Sequence, residues 1–216
     1  MEVLRSKLEE GLAQLGLALD ADQVSQLLGY LQLIQKWTKV YNLTAVREPT
    51  EMLSHHLLDS LAVIAPLRRQ TGGSAVRLLD VGSGAGLPGV VIAICCPEVR
   101  VDCVDTVGKK AAFIQQVALA LKLPNLRGVH ARVETLAGPY EVISSRAFAS
   151  LGDFVNWSGS ALAEQGVWLA MKGKLPQDEM AVLPPGAAVF HVEQLAVPGL
   201  DAERCIVWLK KQQPLT

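Results

Sequence analysis

The run Leu78-Leu79-Asp80-Val81-Gly82-Ser83-Gly84-Ala85-Gly86-Leu87-Pro88-Gly89 constrains this chain more than any other stretch. Its apolar first part reads as a buried strand. The glycines at alternate positions then let the backbone turn sharply and come close to a ligand, because they carry no Cβ. Val90 to Cys96 reads as a helix whose first amides face that turn. Pro88 is tolerated there, since first-turn N–H groups have no helical partner.

Around this unit the chain divides in two. Val3, Leu4, Leu8, Leu12 and Leu15 recur at spacings of three and four, the apolar face of one helix. Asp20 with Gln23 resembles a capping box opening a second helix, with Val24, Leu27, Leu28, Leu31, Ile34 and Trp37 as its stripe. Pro49 opens a third, running through Met52, Leu53, His56, Leu57, Ser60, Leu61 and Ile64, with His55 turned to solvent. Residues 1–72 are therefore expected to form an N-terminal helical appendage that Gly72-Gly73 closes. From there to residue 216, short apolar runs alternate with helical stretches: Val76–Val81, Val99–Asp105, Leu126–Ala131, Glu141–Ser145, Gly166–Met171, Ala187–Leu195 and Cys205–Lys210. Such alternation marks an α/β fold with a mostly parallel sheet covered on both faces. Pro198-Gly199-Leu200-Asp201 is too short for a parallel crossover, so the last two strands form an antiparallel hairpin. Seven strands with one antiparallel insertion is the Rossmann-like arrangement of class I S-adenosylmethionine methyltransferases.

Two ligands compete for the glycine loop, since Gly84-Ala85-Gly86-Leu87-Pro88-Gly89 also spells the dinucleotide pattern GxGxxG. Position within the strand favours S-adenosylmethionine. Gly82 already breaks the strand, and an ionisable Asp80 precedes it, a costly residue at the end of a buried strand. A carboxylate there can hold the ammonium of a methionine moiety, directly or through water, and a dinucleotide has no ammonium to offer. Asp105, 23 residues beyond Gly82, ends the second strand and can accept both ribose hydroxyls. It also suits an N-cap for the Lys109–Leu123 helix, a role open to Thr106 as well.

A formal net charge of −1 excludes a protein that coats nucleic acid by bulk charge, so any such contact is local. Cys95, Cys96, Cys103 and Cys205 lack metal-ligand or redox spacing and read as buried thiols; no metal site is expected. No apolar run reaches the length of a membrane span, and the first residues lack a signal-like core. A cytoplasmic monomer is the expectation.

Several separated motifs, in order, carry a resemblance over nearly the whole chain: Trp37-Thr38-Lys39-Val40-Tyr41-Asn42-Leu43-Thr44, His56-Leu57-Leu58-Asp59-Ser60, Asp80 to Gly89, Arg132-Val133-Glu134, Ser145-Arg146-Ala147-Phe148-Ala149 and Met171-Lys172-Gly173. With these the sequence resembles the bacterial 16S rRNA guanine-N7 methyltransferases once called glucose-inhibited division protein B. Thr106-Val107-Gly108 after Asp105 is a mild departure. The resemblance implies 7-methylguanosine in the decoding-region loop of the small ribosomal subunit RNA. It implies cofactor contacts from Gly82 and Leu87, from Val133 and Glu134, and from Arg146, with Asp80, Gly84, Gly86 and Asp105 completing the cofactor set.

Guanine N7 carries an in-plane lone pair, so its methylation needs alignment and dehydration and no general base. The Hoogsteen edge presents N7 and O6 as acceptors, which call for Lys, Arg or Asn donors. Arg146, at the end of the fourth strand, is the leading substrate-side residue. Asn42, His56 and Lys172 stand behind it. Asn42 lies in a basic, aromatic stretch with Lys36, Trp37, Lys39 and Tyr41 that suits a local RNA platform; its plainer role is a loop cap. His56 sits on the apolar side of its helix, where a hydrogen-bonded core histidine is equally in keeping. Lys109, Arg132 and Phe148 are further candidates for RNA contact, Phe148 by stacking on a splayed base or by core packing. A dinucleotide oxidoreductase and a non-catalytic RNA-binding protein remain the alternatives from other classes.

Overall fold

The computed structural model describes residues 2–212; Met1 and residues 213–216, which the expected limits of the two parts include, lie outside the described residues. Helix α1 (Glu2–Gln14) is followed by α2 (Ala21–Tyr41). The capping box expected at α2 is formed: the Gln23 amide donates to Asp20 Oδ1 at 2.8 Å, and the Asp20 amide donates to Gln23 Oε1 at 3.1 Å. Asn42, in the left-handed conformation (φ 51°), closes the helix and sends its N–H to Thr38 O.

The single third helix expected from the sequence is instead four pieces. Pro49–Met52 (α3) runs into a π-helical segment, Leu53–Leu58, then Asp59–Leu61 (α4) and, after a turn at Ala62-Val63, Ile64–Thr71 (α5). Gly72 in the left-handed region (φ 60°) ends it.

The strands fall close to their expected places: β1 (Arg77–Val81), β2 (Arg100–Asp105), β3 (Leu126–His130), β4 (Tyr140–Arg146), β5 (Leu162–Lys172), β6 (Ala187–Leu195) and β7 (Arg204–Lys211). Between them lie α6 (Gly89–Cys95), α7 (Gly108–Ala120), a 3-10 turn at Val133–Thr135, α8 (Leu151–Ser158) and α9 (Gln177–Ala181). The sheet order is β3-β2-β1-β4-β5-β7-β6. β7 runs antiparallel to both β5 and β6, and the other pairs are parallel.

Successive residues along each strand feed opposite cores, as the two-residue period of a strand requires. Leu78, Val101, Cys103, Val142, Leu169 and Ile206 join a cluster with α1, α2, the π-helical segment, α5, α6 and α7. Leu79, Val104, Ile143, Trp168, Ala170 and Val207 join a second cluster with α8. The N-terminal helices therefore share one continuous core with a face of the sheet: Leu8, Leu27, Leu31 and Ile34 are as deeply buried as Val90 and Ile114. All four cysteines are unpaired and buried. No helix of the described residues is long and apolar enough to cross a membrane.

The order of strands reverses between β1 and β4, with α6 and α7 on one side and α8 on the other. At such a switch point the carboxyl ends of adjacent strands splay apart and leave a crevice for ligands. Gly82 follows β1 there, and Arg146 ends β4.

Asp20→Ala removes the side chain that holds the first turn of α2, with no effect on the sheet itself. It should cost about 1 kcal/mol of stability, read as a shift in the urea midpoint at unchanged slope.

Candidate active site at the carboxyl edge of the sheet

The glycine loop owes its shape to buried acceptors and to left-handed backbone. Gly82, Gly84 and Gly86 have φ of 62°, 58° and 91°, a region that costs an L-residue about 1–2 kcal/mol. The Ser83 amide donates to Val104 O at 3.2 Å, and the Gly86 amide to Ser83 O at 2.7 Å. The Gly84 amide donates to Asp105 Oδ2 at 3.0 Å, while Asp105 Oδ1 accepts from the Val107 amide at 2.9 Å. Asp105 thus spends one lone pair of each oxygen on the chain and keeps the others toward the crevice. Val107, and not Thr106, precedes the first turn of α7 without a side-chain cap.

Asp80 lies beneath the loop, fully buried. Oδ2 accepts from the Gly89 amide at 3.0 Å and Oδ1 from Ser144 Oγ at 2.8 Å. It does not line the crevice, so a direct grip on a ligand's ammonium is replaced by a grip on the loop. The same bond takes the first amide of α6, and the next, Val90, donates to Gly86 O at 2.7 Å. The first two amides of the helix are therefore taken by the chain itself and are not offered to a ligand. Burial pushes the Asp80 carboxyl up to about 7, against the opposing pull of Ser144 and Gly89.

Two cavities open above the loop and meet at Gly82 and Ala147. The first, of about 440 Å³, is lined by Gly82, Gly84, Leu87, Arg146, Lys172 and Arg204, among others. The second, of about 480 Å³, is lined by Asp105, Lys110, Arg132, Val133, Glu134 and Phe148, among others. Phe148 stands at the junction: a Cβ on Gly82 would run into its ring. The ring also meets Phe154 and Trp157 edge-on. Ala147 beside it holds φ 50°, an uncommon conformation for a residue with a Cβ.

Arg146 does not stand alone. Its Nη1 donates to Asp59 Oδ2 at 2.9 Å and to His55 O at 2.8 Å. Arg204 Nε donates to Asp59 Oδ1 at 2.9 Å. One nearly buried carboxylate thus holds two guanidiniums in the wall of the first cavity. The π-helical segment makes this possible. Asp59 N–H reaches back to Ser54 O, and the wider turn shifts the side chains that follow, so His55 and His56 both line the cavity. His55 keeps part of its ring toward solvent, as expected, while the under-wound stretch also brings it to the cavity wall beside the buried His56. His56 Nε2 lies 2.8 Å from Thr44 Oγ1. Burial, with Arg146 nearby, lowers its pKa to about 4, so the ring is uncharged at neutral pH.

The remaining expected residues are dispersed. Asn42 is outside both cavities; its Oδ1 accepts from Arg47 at 2.8 Å, and its neighbours Leu43 and Thr44 line the first cavity instead. Lys172 reaches the first cavity, but its ammonium is tied to Ala149 O at 3.0 Å and to Glu179 at 2.9 Å, which pins the loop after β4 to α9. Gly86 lies behind the loop against Val90. Lys109 stands over the Tyr41 ring at 5.2 Å, and it is Lys110 that lines the second cavity, 3.8 Å from Asp105. Among the described residues no group of three or more His, Cys, Asp or Glu could hold a metal ion.

Arg204, Asp59 and His55 carry no role in the sequence reading. A signal for Arg204 existed. In an antiparallel β7 the first residue lies at the same edge as the last residues of β5, and Cys205 pairs with Lys172.

Because the folded pKa of Asp80 is raised, the folded state holds a proton that the unfolded state releases between about pH 4 and pH 7. Stability from this group is fully present below pH 4 and lost as pH rises through 7. Asp80→Asn keeps the Gly89 amide on its oxygen, turns the Ser144 contact round so that Nδ2 donates to Oγ, and removes the titration. Against wild type it should therefore gain stability from pH 5 to pH 8, by on the order of a few kcal/mol, in urea unfolding at the two pH values.

Known proteins place this geometry. A family model described as rRNA small subunit methyltransferase G matches residues 23–207. The protein named ribosomal RNA small subunit methyltransferase G from Albidiferax ferrireducens is 66% identical over 221 residues, covering 98% of this chain and 99% of that one. Its namesake from a Polaromonas species is 70% identical over 207 residues, covering 94% and 92%. Among solved structures, magnesium protoporphyrin IX methyltransferase from Synechocystis with bound S-adenosylmethionine aligns with a TM-score of 0.60 at 14% identity, over 89% of this chain and 98% of that one. TrmN from Thermus thermophilus aligns with a TM-score of 0.56 at 19% identity, over 74% and 53%. The structural likenesses establish the class I methyltransferase fold, and with identities above 60% across nearly the whole length the chain belongs to the rRNA small subunit methyltransferase G family.

Proposed function

We propose that this protein transfers a methyl group from S-adenosylmethionine to N7 of a guanine in the 16S rRNA of the small ribosomal subunit. The observation that carries the reading is the pair of cavities joined at Gly82 and Ala147 over the switch point between β1 and β4, in a chain of this family.

The residues fit the cofactor. Over Gly84 the space is open, with nothing but Gly82 O within 4.0 Å of where a Cβ would stand, so a ligand can approach the backbone. Asp105 has acceptor capacity left for ribose hydroxyls, Val133 gives an apolar wall, and Glu134 stands beside it in the second cavity. Leu87 and Arg146 face the first cavity, where a methionine carboxylate would find the guanidinium. Asp80 acts from beneath by holding Gly89. A dinucleotide is the poorer fit. The strand ends at Val81, three residues before the first glycine of the GxGxxG run, and the first amide of α6, the end at which a pyrophosphate would sit, is already bonded to Asp80. The bound cofactor supplies an electrophilic methyl on a sulfonium sulfur.

The chain's own task is then to bring guanine N7 into line and to exclude water. Positive charge passes to the purine as the methyl moves, so a free cation against N7 would oppose the transfer. Asp59 answers this by compensating one of the two guanidiniums, and His56 is uncharged. Arg146 and Arg204 keep N–H donors for O6 or a phosphate, which is where donors help. No residue has to remove a proton. On the outer face, Trp37, Tyr41 and Lys109 form an aromatic and basic surface at the end of α2 for RNA, and Arg132 extends it beside the second cavity. The N-terminal helices that carry it serve as the RNA-positioning part. One chain lines both cavities, so a monomer suffices, and the substrate places its work in the cytoplasm.

Mass spectrometry of small-subunit RNA incubated with the protein and S-adenosylmethionine should show one added 7-methylguanosine; methylation at another atom, or none, would overturn the reading. Arg146→Ala should cut methyl transfer by at least about 100-fold. Stability should fall by about 1–3 kcal/mol as well, since Asp59 loses one of its partners. Gly84→Val puts a β-branched residue at φ 58° and fills the open space above the loop. Calorimetric titration should show no binding of S-adenosylmethionine, while circular dichroism retains the native spectrum.

A further inference from the structure

The glycine loop is held from within the sheet by Val104 O, Asp105 and Asp80. It is also held by a group from outside it. The Tyr30 hydroxyl, on α2, donates to Ala85 O at 2.6 Å across 55 residues of chain, and Tyr30 is fully buried. The same hydroxyl would be 3.4 Å from a Cβ on Gly86. The ring is fixed independently by stacking against Phe113 of α7, with centroids 6.5 Å apart. α2 is moored nearby by Gln23 Nε2 on Ile94 O and Gln26 Nε2 on Leu121 O, both at 2.9 Å, at the far ends of α6 and α7. The helix is thus a strut. Its middle touches the back of the loop, and its last turn carries Trp37 and Tyr41.

We propose that Tyr30 is a positioning residue for the cofactor loop: it fixes the Ala85–Gly86 peptide, and with it the wall that Gly84 and Ala85 present to the first cavity. Ala85 is 6% exposed, so its carbonyl has no ready replacement partner in water, and losing the donor leaves a buried acceptor unmet. Gly86 on one side and Gly84 on the other are both in left-handed conformations that many glycine peptides can leave. Without the hydroxyl the peptide between them is held only through its amide, by the Gly86 N–H on Ser83 O at 2.7 Å, and the loop samples more shapes that do not match a ligand. The consequence is that the N-terminal helices do more than offer a surface to RNA. They complete the cofactor site.

This inference rests on the proposed cofactor, and the test separates the two. Tyr30→Phe keeps the ring and its stacking and removes only the donor. In the ligand-free protein, amide hydrogen exchange at Gly84 to Leu87 should speed up while β5 stays protected. S-adenosylmethionine affinity by calorimetry should weaken about tenfold. The KM for S-adenosylmethionine should rise in step, with kcat at saturating cofactor and the KM for the small subunit within twofold of wild type. Phe113→Leu loosens the same packing without touching the Ala85 carbonyl; it should lower the melting temperature yet leave cofactor affinity unchanged well below it. The proposal is overturned if Tyr30→Phe leaves loop exchange unchanged, if it binds the cofactor as wild type does, or if Phe113→Leu weakens binding equally. Failure of wild type to bind S-adenosylmethionine overturns the functional reading instead, and loop exchange alone then decides the role of Tyr30.

Discussion

The Asp59 carboxylate joins the side chains of three parts of the chain at the crevice. It sits at the start of α4, takes Arg146 from the end of β4 and takes Arg204 from the start of β7. Removing a carboxylate from water costs several kcal/mol, and two charge-assisted bonds repay this only in part. The cluster is therefore a poor device for stability alone. What it provides is geometry, since two planar guanidiniums held by one anion cannot drift. It also sets a net charge of one positive unit in the wall, where an uncompensated pair would repel.

The π-helical segment is the local distortion that lets this happen. A regular α-helix through Leu53–Leu58 would leave His55 on the outer face and its carbonyl within the helical ladder. In the under-wound segment that carbonyl accepts from Arg146, and both histidines line the first cavity. Such segments carry poorer hydrogen bonding than α-helix and are kept where they aim side chains. The adjoining residues Met52, Leu57 and Leu61 are fully buried against the core, which supplies the packing that holds the distorted turn.

Much of the fold was legible because it rests on periodicity and punctuation. Every strand was readable as an apolar run, the hairpin followed from a connection too short to cross over, and the capping box at Asp20 was plain. The glycine loop also declared itself. Other features were out of reach because they arise from distances in space. The break of the third helix into α, π and α pieces has no marker in Ser54-His55-His56-Leu57, which satisfies an α period as well as any. Asp59 reads as a polar residue on a helix, and its partners are 87 and 145 residues away in sequence. Asp80 was singled out correctly as unusual, but the sequence could not say which way its carboxylate points, and it points under the loop.

The two aspartates of the loop show why that direction matters. Asp105 and Asp80 each bond a loop amide, Gly84 and Gly89, so the turn is clamped at both ends by carboxylates on neighbouring strands. Asp105 is nearly as buried but lines the second cavity, and it keeps lone pairs for a ligand. Asp80 is enclosed, uses both oxygens on the chain, and pays in desolvation, which is what raises its pKa. Exchanging these environments would ruin the ligand's share of the work, since a carboxylate with both oxygens committed to the chain has less to offer a ribose. Division of labour between two chemically identical side chains therefore follows from placement alone, with the strand register setting which is which: Asp80 pairs with Cys103, in the middle of β2, while Asp105 lies beyond the last residue of β1.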